Sequence, residues 1–297
     1  MLTFKKTTLD DIAIVKGYYS FSTNKTCDNT VGGTFMWRDY FSVEYTQWNE
    51  TLIFKVNVKY HNETTAFTLP LGKDIYGSIR EIGNYCNAAG IPVVFCTATK
   101  YDLPVLSSMF KNIQLFQEQN WSDYLYKAYD LIALSGRRYH GQKNHMNHFR
   151  KTYSNYAFEE ITDANVAEVK AFYDNLNLSV TKDSEVFLEE QKKTLEVLEN
   201  YRLYGLIGGL LRVDGDVAAF SIGEKYGNVL YIHIEKADMK YRGAYQIVNN
   251  EFAKCFASPE IEYINREEDV GDIGLRTSKL SYHPCDIIDK YLVFCEG

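Results

Sequence analysis

Two kinds of hydrophobic spacing meet in the second half of the chain. Between residues 229 and 235, polar and aromatic side chains alternate with aliphatic ones, which is the period of a strand lying on a core. From Tyr245 onward the apolar positions recur at helical spacing, so the pattern predicts an amphipathic helix over 246–257. The change of period places a strand-to-helix turn at Arg242-Gly243-Ala244.

The rest of this half gives a regular succession of elements. An Asp214-Gly215 pair between two strand-like runs predicts a hairpin with a tight turn. The remaining patterns predict helices over 165–175, 187–201 and 274–281, and strands over 204–213, 217–224, 261–265 and 291–295. The order α-α-β-β-β-α-β-α-β is that of a GNAT-type acyltransferase domain, an α+β fold on a mixed sheet.

The first half repeats this plan more faintly. Its patterns predict helices over 9–19, 75–89 and 103–110, and strands over 51–58, 65–69 and 93–97. At the corresponding strand-to-helix junction it has Leu69-Pro70-Leu71-Gly72-Lys73-Asp74 and lacks an Arg-Gly-Ala turn. We therefore expect tandem copies, with an N-terminal domain over 1–136, a connector over 137–153 and a C-terminal domain over 154–297.

The connector is strongly basic although the chain carries a net charge of −7. It contains no acidic residue, and 142–153 has a narrow apolar stripe that predicts a helix. One interpretation is a surface for an anionic partner such as tRNA, and the other is a solvated linker helix. The residues that would contact tRNA are Arg138, Lys143, Arg150 and Lys151.

Composition narrows the class of protein. The acidic balance argues against nonspecific polyanion binding by the whole surface. The six cysteines form no Cys-x-x-Cys pair, which indicates reduced thiols rather than a disulfide framework or a zinc site. His140, His145 and His148 lie among basic residues without a metal-binding spacing, so no metal is expected. No apolar run spans a bilayer and no signal region begins the chain, so we expect a cytoplasmic protein.

The Arg242-Gly243-Ala244 turn opens the helix over 246–257, where free N–H groups and the helix dipole favour an anion. A glycine lets a phosphate or an acyl-donor tail approach the backbone closely. The alternative is an ordinary turn in which Gly243 only relieves strain.

Several separated motifs together resemble a known bacterial family. They are Cys27-Asp28 through Phe35-Met36-Trp37-Arg38-Asp39-Tyr40, Tyr139-His140-Gly141-Gln142-Lys143, His233-Ile234-Glu235-Lys236, Tyr241-Arg242-Gly243-Ala244-Tyr245, Asn265-Arg266-Glu267-Glu268-Asp269, Leu275-Arg276 and Lys279-Leu280-Ser281-Tyr282-His283-Pro284. Across nearly its whole length the chain resembles stand-alone relatives of the C-terminal domain of phosphatidylglycerol lysyltransferase.

The resemblance implies a pair of GNAT-like domains, akin to the Fem peptidyltransferases and joined through the basic helix. Characterised relatives move an aminoacyl group from aminoacyl-tRNA to a lipid headgroup hydroxyl or to an amine. The chain lacks the membrane-spanning segment of the lipid-modifying members, which argues against a lipid acceptor and leaves peripheral membrane contact as an alternative.

Three residues are candidates for the chemistry of acyl transfer. His233 and Glu235 lie at alternate positions of one strand, and they would act as a base or as a hydrogen-bonding pair for the acceptor. Tyr282 lies where GNAT enzymes often place a tyrosine that protonates the leaving group. The structural alternatives are pairing on a solvated sheet face and ordinary packing.

Further candidates would bind the donor or the substrate. Arg242, Gly243 and Ala244 form the turn, and the loop after the strand over 261–265 would recognise an amino group or a carboxylate. The matching motif residues are Asn265, Arg266, Glu267, Glu268 and Lys279 in the second half and Trp37, Arg38 and Asp39 in the first. A solvated acidic loop and a structural Arg–Asp pair are the alternatives.

Three functions follow from these residues. The leading one is aminoacyl transfer from a charged tRNA to a lipid headgroup or to a small amine or hydroxyl, without a cofactor. The second is an acyl-coenzyme A N-acyltransferase whose Arg242-Gly243-Ala244 turn grips the pyrophosphate, although a single glycine followed by Tyr245 departs from the usual turn. The third is a nonenzymatic module that binds a lipid or RNA.

Overall fold

The computed structural model describes residues 2–60, 62–178 and 184–296. The chain divides into two compact units, of which unit 1 comprises residues 1–123 and 288–297 and unit 2 comprises residues 124–287. The predicted domain boundary at residue 136 thus differs from the division at Asp123, and the last ten residues belong to unit 1.

Unit 1 is built on a mixed sheet with strand order β1-β2-β3-β4-β6-β15-β7, and β5 pairs with β3. Its strands are β1 (Lys5–Lys6), β2 (Glu44–Trp48), β3 (Thr51–Tyr60), β4 (Asn62–Phe67), β5 (Leu71–Gly72), β6 (Val93–Ala98), β7 (Asn112–Gln117) and β15 (Tyr291–Glu296). Its helices are α1 (Ile12–Lys16), α2 (Val31–Met36), α3 (Ile75–Ala89) and α4 (Leu103–Met109). A buried cluster that includes Ile79, Ile82, Phe95 and Val293 forms its core.

Unit 2 is built on a second mixed sheet, with strand order β14-β8-β13-β12-β11-β10-β9. Its strands are β8 (Asp123–Lys127), β9 (Tyr156–Glu160), β10 (Ile207–Val213), β11 (Asp216–Tyr226), β12 (Val229–Ala237), β13 (Tyr263–Asn265) and β14 (Asp286–Ile288). Its helices are α5 (Ala128–Ala133), α6 (His140–Thr152), α7 (Val166–Asn177), α8 (Glu185–Glu199), α9 (Tyr201–Tyr204), α10 (Ala244–Phe256) and α11 (Ile273–Leu280). The α+β class with two mixed sheets is confirmed.

Most predicted elements are present, and their local signals explain why. The helix predicted over 75–89 is α3, which Asp74 caps by accepting a hydrogen bond from Gly77 N and which ends at Gly90 in a left-handed conformation. At the predicted hairpin, Asp214 and Gly215 both have positive φ and connect β10 to β11. The stretch over 9–19 is broken instead into α1 and short 3-10 turns.

The prediction that 291–295 closes the sheet of the second half was wrong. This strand, β15, lies between β6 and β7 in the sheet of unit 1. In the sheet of unit 2, β8 takes the place beside β13. Alternation identifies a strand but not its partner, because any edge with matching hydrogen-bond groups satisfies the same local pattern.

The basic segment is part of unit 2 rather than a separate connector. Its helix α6 buries Gln142, Met146 and Phe149, and the two apolar side chains join the core cluster that also contains the buried face of α10. Within the described residues, no helix combines the length and the apolarity that crossing a bilayer requires.

Candidate functional site

A β-bulge in β12 shapes the centre of unit 2. The register of β11 against β12 shifts between Ile222 and Gly223, because Ile222 pairs with Ile234 whereas Gly223 pairs with Ile232. His233 is therefore the extra residue on β12. Gly223 permits the bulge, since a Cβ on it would overlap the carbonyl oxygen of Tyr231.

The bulge changes which side chains share a face. Ile232 and Ala237 are an odd number of positions apart, yet both belong to the core cluster packed on α10. Glu235 lies on that side and accepts a hydrogen bond from Asn249 of α10 at 2.9 Å. His233 contacts other groups. The sequence predicted that His233 and Glu235 share one face of the strand. In the structure the two side chains instead contact different residues.

His233 is held between two carboxylates. Its Nδ1 lies 2.6 Å from Glu267 Oε1 and its Nε2 lies 2.9 Å from Glu224 Oε1. Burial opposes the charged ring, but Glu267 and Glu224 outweigh that effect and raise the pKa of His233 to about 10. The two carboxylates therefore favour an imidazolium that donates from both nitrogens, which argues against the role of base suggested by the sequence.

Glu235 is clamped from two sides. Asn249 Nδ2 donates to its Oε2, and Arg266 Nη2 donates to its Oε1 at 3.0 Å. Arg266 is buried, and although burial opposes its charge, Glu235 raises the pKa of the guanidinium. The carboxylate and the guanidinium therefore form a fixed, charged pair inside unit 2.

Three buried polar atoms around this pair have no hydrogen-bond partner within the described part of the chain. They are Arg266 Nη1, Asn249 Oδ1 and the hydroxyl of Ser221, which lies opposite Glu235 on β11. An unpartnered buried polar group costs about 1–3 kcal/mol, so three at one place are unusual. We call Ser221, Glu224, His233, Glu235, Asn249, Arg266 and Glu267 the site cluster.

Two aromatic rings support Arg266. Its Cζ lies 4.9 Å from the ring centroid of Tyr282 and 5.9 Å from that of Tyr126. Burial raises the pKa of the Tyr282 hydroxyl, so this phenol stays protonated. Tyr126 donates to Lys279 O at 2.8 Å. The two rings restrict the guanidinium to one plane beside Glu235.

The loop after β13 is anchored rather than solvated. Asn265 Oδ1 accepts from Glu267 N, and buried Lys279 donates to the carbonyl oxygens of Arg266, Glu267 and Glu268. Glu267 has a φ of 58°, which is uncommon for a residue with a side chain. These contacts hold Glu267 against His233, while Lys279 itself is occupied by the loop.

The end of the same loop is fixed by Asp269. Its buried carboxylate accepts hydrogen bonds from Tyr124 and from two nitrogens of Arg276, each at 2.6–2.8 Å. Burial opposes ionisation, but the Arg276 and Tyr124 bonds prevail and lower the pKa of Asp269 to about 2. Asp269 therefore remains ionised and gives the loop a rigid base.

The Arg242-Gly243-Ala244 turn has a packing explanation. Gly243 has a φ of 97°, and a Cβ on it would lie 2.6 Å from the carbonyl oxygen of His145 on α6. That oxygen faces the start of α10, where the sequence suggested an anion. Ala244 is buried in the core cluster and Arg242 is exposed. The close approach of α6 thus accounts for the glycine.

The basic residues of the predicted connector are mostly exposed, but two of them have acidic partners. Arg138 pairs with Asp130 at 2.9 Å, and Arg150 lies 3.6 Å from Glu251. Lys143 donates to the carbonyl of Gly136. Lys151 is exposed at the end of α6. The positive surface is therefore weaker than the sequence suggests.

The first-half motif lies in unit 1 at the end of α2. Arg38 is buried and donates to Phe35 O at 2.6 Å, with Asp39 Oδ2 at 3.8 Å from its Nη2. Trp37 packs edge-on against Tyr40. Within unit 1 these contacts agree with the structural interpretation of the motif.

Sequence reasoning missed Ser221, Glu224 and Asn249. Each of them lies in a regular strand or helix without a motif around it. A buried asparagine on the apolar face of α10 was the one available signal, since Asn249 falls within a run of core positions.

Comparisons with known proteins show similarities of sequence and of fold. The structure superimposes on a conserved protein of unknown function from Bacteroides thetaiotaomicron with a TM-score of 0.88, 28% identity and full coverage of both chains. L-PGS from Bacillus licheniformis gives a TM-score of 0.65 at 14% identity, over 96% of this chain and 92% of that one. FemX gives 0.57 at 8% identity, over 98% and 97%. The last two similarities concern the fold.

A curated relative, an uncharacterized protein of Mycoplasmoides gallisepticum, is 26% identical over 194 residues, which cover 61% of this chain. The chain spans about 58% of the length of that relative. A family model described as phosphatidylglycerol lysyltransferase, C-terminal, matches residues 19–294, which include all of unit 2, most of unit 1 and the whole site cluster. The family match and these similarities of fold agree with the α+β class on two mixed sheets. The chain belongs to the phosphatidylglycerol lysyltransferase C-terminal family.

Proposed function

We propose that the protein is an aminoacyltransferase that moves an aminoacyl group from an aminoacyl-tRNA to a lipid hydroxyl or to a small amine or hydroxyl. The reaction takes place at the site cluster. The observation that carries the proposal is the Nη1 atom of Arg266, a buried cationic donor without a hydrogen-bond partner among the described residues.

Acyl transfer needs such a donor. Attack on the aminoacyl ester converts its carbonyl oxygen into an oxyanion, and a fixed N–H in a dry environment stabilises that charge strongly. Arg266 is fixed through Nη2 by Glu235 and through its plane by Tyr282, which leaves Nη1 for the developing oxyanion. Because Arg266 and Glu235 are already fixed before the substrate binds, these side chains need to move little during the reaction.

The charge balance favours an aminoacyl group over a phosphate-bearing donor tail. Glu224, Glu235 and Glu267 carry three negative charges, against the two positive charges of His233 and Arg266. This excess suits the α-ammonium group of an aminoacyl ester. Asn249 Oδ1 and the Ser221 hydroxyl offer further acceptors to that ammonium group.

The proton of the attacking hydroxyl or amine goes to a carboxylate, because His233 is already protonated. We assign this role to Glu267, which is more exposed than Glu224 and is held at a left-handed backbone position. His233 acts as a positioning residue for Glu267. Tyr282 stays the proposed donor of a proton to the leaving ribose oxygen.

The tRNA contacts in this proposal come from exposed cations of α6 and the turn before it. Arg138 lies in that turn, Lys143, Arg150 and Lys151 follow along α6, and all four would bind phosphates. Since two of them have acidic partners, we expect moderate affinity and a clear decrease in binding with added salt.

The test uses tRNA charged with radiolabelled amino acids, one at a time, incubated with a lipid extract or with small amines. Label that moves into an acceptor fraction supports the proposal, and Glu267→Gln should abolish this movement while leaving tRNA binding intact. Label that stays on tRNA with every amino acid and acceptor overturns it. Calorimetry with acetyl-coenzyme A completes the test, because saturable binding would favour the N-acyltransferase alternative.

A further inference from the structure

Strand β7 is a sheet edge that lacks the usual protection against pairing. Among the described residues, the two sheets end in β1, β7, β9 and β14. β1 consists of two lysines, β14 has three residues and begins with Asp286, and β9 carries Glu159 and Glu160. Short length and charge are the devices that keep a sheet edge from pairing with another chain. β7 has six residues, Asn-Ile-Gln-Leu-Phe-Gln, and none of them is charged.

Every residue of β7 except Ile113 is exposed. The strand pairs with β15, which places Leu115 opposite Val293 and Ile113 opposite Cys295. Val293 and Cys295 belong to the core cluster of unit 1, so Leu115 lies at the rim of that core, where it is 43% exposed. Phe116 lies on the other face and is 36% exposed. An uncharged edge with protruding apolar side chains on both faces is a template for one more strand.

We propose that the outer edge of β7 pairs with β7 of a second copy of this chain, which gives an antiparallel, two-fold symmetric dimer through unit 1. The new strand pair continues the sheet of unit 1 across the symmetry axis. Dimerisation through unit 1 goes beyond the proposed transfer reaction and does not depend on it.

The charges that flank β7 favour a second copy as the partner. Lys111 precedes the strand, Glu118 follows it, and both side chains are exposed. In an antiparallel pair the start of one strand lies beside the end of the other. Lys111 of each copy therefore lies beside Glu118 of the other copy. Self-pairing thus gives two attractive contacts and brings no like charges together.

Symmetry also restricts which side chains meet. A two-fold axis perpendicular to the sheet keeps each face on its own side, and residues opposite each other share a face, so the axis passes through a residue. Gln114 and Leu115 are the two central positions of β7. With Gln114 on the axis, Ile113 of each copy lies opposite Leu115 of the other, so the apolar rims of the two cores meet. With Leu115 on the axis, Gln114 would lie opposite Phe116, and we therefore assign the axis to Gln114.

The first experiment is sedimentation equilibrium of the full chain. We expect a reversible dimer with a dissociation constant of roughly 1–100 µM, because one strand pair buries less surface than a standard interface. Gln114→Lys places two ammonium groups opposite each other on the axis and should weaken the dimer about 10-fold or more. Asn112→Lys is the matched control, because it adds the same charge to the same strand away from the axis and should change the dissociation constant less than about 2-fold. Circular dichroism checks that each variant folds.

An exchange of charges distinguishes a second copy from a different partner. Lys111→Glu should weaken the dimer about 3- to 10-fold, and the addition of Glu118→Lys should restore it, since each strand end again meets an opposite charge. A different partner would not follow the exchange.

Oxidative crosslinking tests the register. Gln114→Cys should form a disulfide between copies, because directly opposite Cα atoms lie about 4.5–5.5 Å apart, within the range that a disulfide spans. Asn112→Cys should not, since two such residues lie several positions apart across the axis. The wild-type chain shows the background from its exposed cysteines, Cys255 and Cys285.

Self-pairing through β7 is overturned if the chain is monomeric at roughly 300 µM, if Gln114→Lys and Asn112→Lys dimerise equally well, or if the exchange of charges fails to restore the dimer. Since no transfer is measured, failure here leaves the transfer proposal standing.

Discussion

Unit 1 and unit 2 each contain a buried ion pair, and the two pairs differ in how completely their polar atoms are used. In unit 1, Lys290 Nζ lies 2.7 Å from Asp123 Oδ1, and the second oxygen of Asp123 accepts from Cys27 N at 2.7 Å. Lys290 Nζ also lies 3.0 Å from Asp28 Oδ2, an ion contact that lacks hydrogen-bond geometry. In unit 2, Arg266 and Glu235 are just as closely joined, but Arg266 Nη1 is left without a partner among the described residues.

The difference separates a pair that holds a fold from one that is ready for a ligand. Burying a charge is costly, and hydrogen bonds to every remaining atom reduce the cost. Asp123 follows that rule. Around the carboxylate of Glu235, by contrast, Arg266, Asn249 and Ser221 each have a buried polar atom without a hydrogen bond. Such an arrangement is expected where a substrate supplies the missing partners.

The largest expected effect is a loss of stability when the Lys290–Asp123 pair of unit 1 is broken. Lys290→Met leaves the carboxylate of Asp123 buried without its cation, so we expect a loss of about 3–5 kcal/mol in the free energy of unfolding. The control is Lys73→Met, which breaks the exposed pair with Glu50 and should cost about 0–1 kcal/mol. Chemical denaturation measures both. Equal small losses would show that the pair in unit 1 is not structural.

Substitution in the Arg266–Glu235 pair of unit 2 should change mainly the activity. Arg266→Lys keeps a cation near Glu235 but removes the second nitrogen, so we expect kcat of transfer to fall about 10²–10³-fold with a small change in KM. Arg212→Lys is the matched control, because Arg212 in the same unit also binds carboxylates, those of Glu159 and Glu168. A decrease confined to KM would assign Arg266 to substrate binding alone.

His233, beside the Arg266–Glu235 pair, makes the free energy of unfolding depend on pH. The folded pKa of about 10 lies above the ordinary value of 6.5, so the stability contributed by His233 is complete below pH 6.5 and disappears as pH rises toward 10. We expect the stabilisation by His233, measured relative to His233→Gln, to decrease by about 1 kcal/mol per pH unit across this range.

Unfolding curves of the two proteins between pH 6 and pH 10 measure that difference. NMR of the ¹⁵N-labelled ring supplies an independent check, since both nitrogens should carry protons at pH 8. A ring that loses a proton near pH 7 would return His233 to the role of base and contradict our assignment of Glu267.

The smallest effect concerns the unpaired hydroxyl. Ser221→Ala removes a group without a partner, so we expect the free energy of unfolding to change by less than about 0.5 kcal/mol or to rise slightly. Thr34→Val in unit 1 removes a hydroxyl that accepts from Tyr19 and donates to Asp28 O, and it should cost about 1–3 kcal/mol. Similar losses in both variants would mean that Ser221 has an unseen partner.

The structure places some of the predicted site residues as the sequence suggested and others differently, for identifiable reasons. Local alternation placed His233 and Glu235 on one strand, as found, but it cannot reveal a bulge, which depends on the register of β11. Arg266 and Glu267 were expected to bind ligands, and the structure gives each a fixed position in the site cluster. Gly243 stood out in the sequence because of its helix start, whereas its neighbour is the backbone of α6.

The sequence by itself determined most of the elements and the α+β class, because hydrophobic period, caps and turn residues act over short distances. Tertiary structure alone decided that β15 joins the sheet of unit 1, that α6 belongs to unit 2, and that Ser221 and Asn249 meet Glu235. Those outcomes depend on which surfaces pack together, and burial and pairing between distant residues leave no local pattern to recognise.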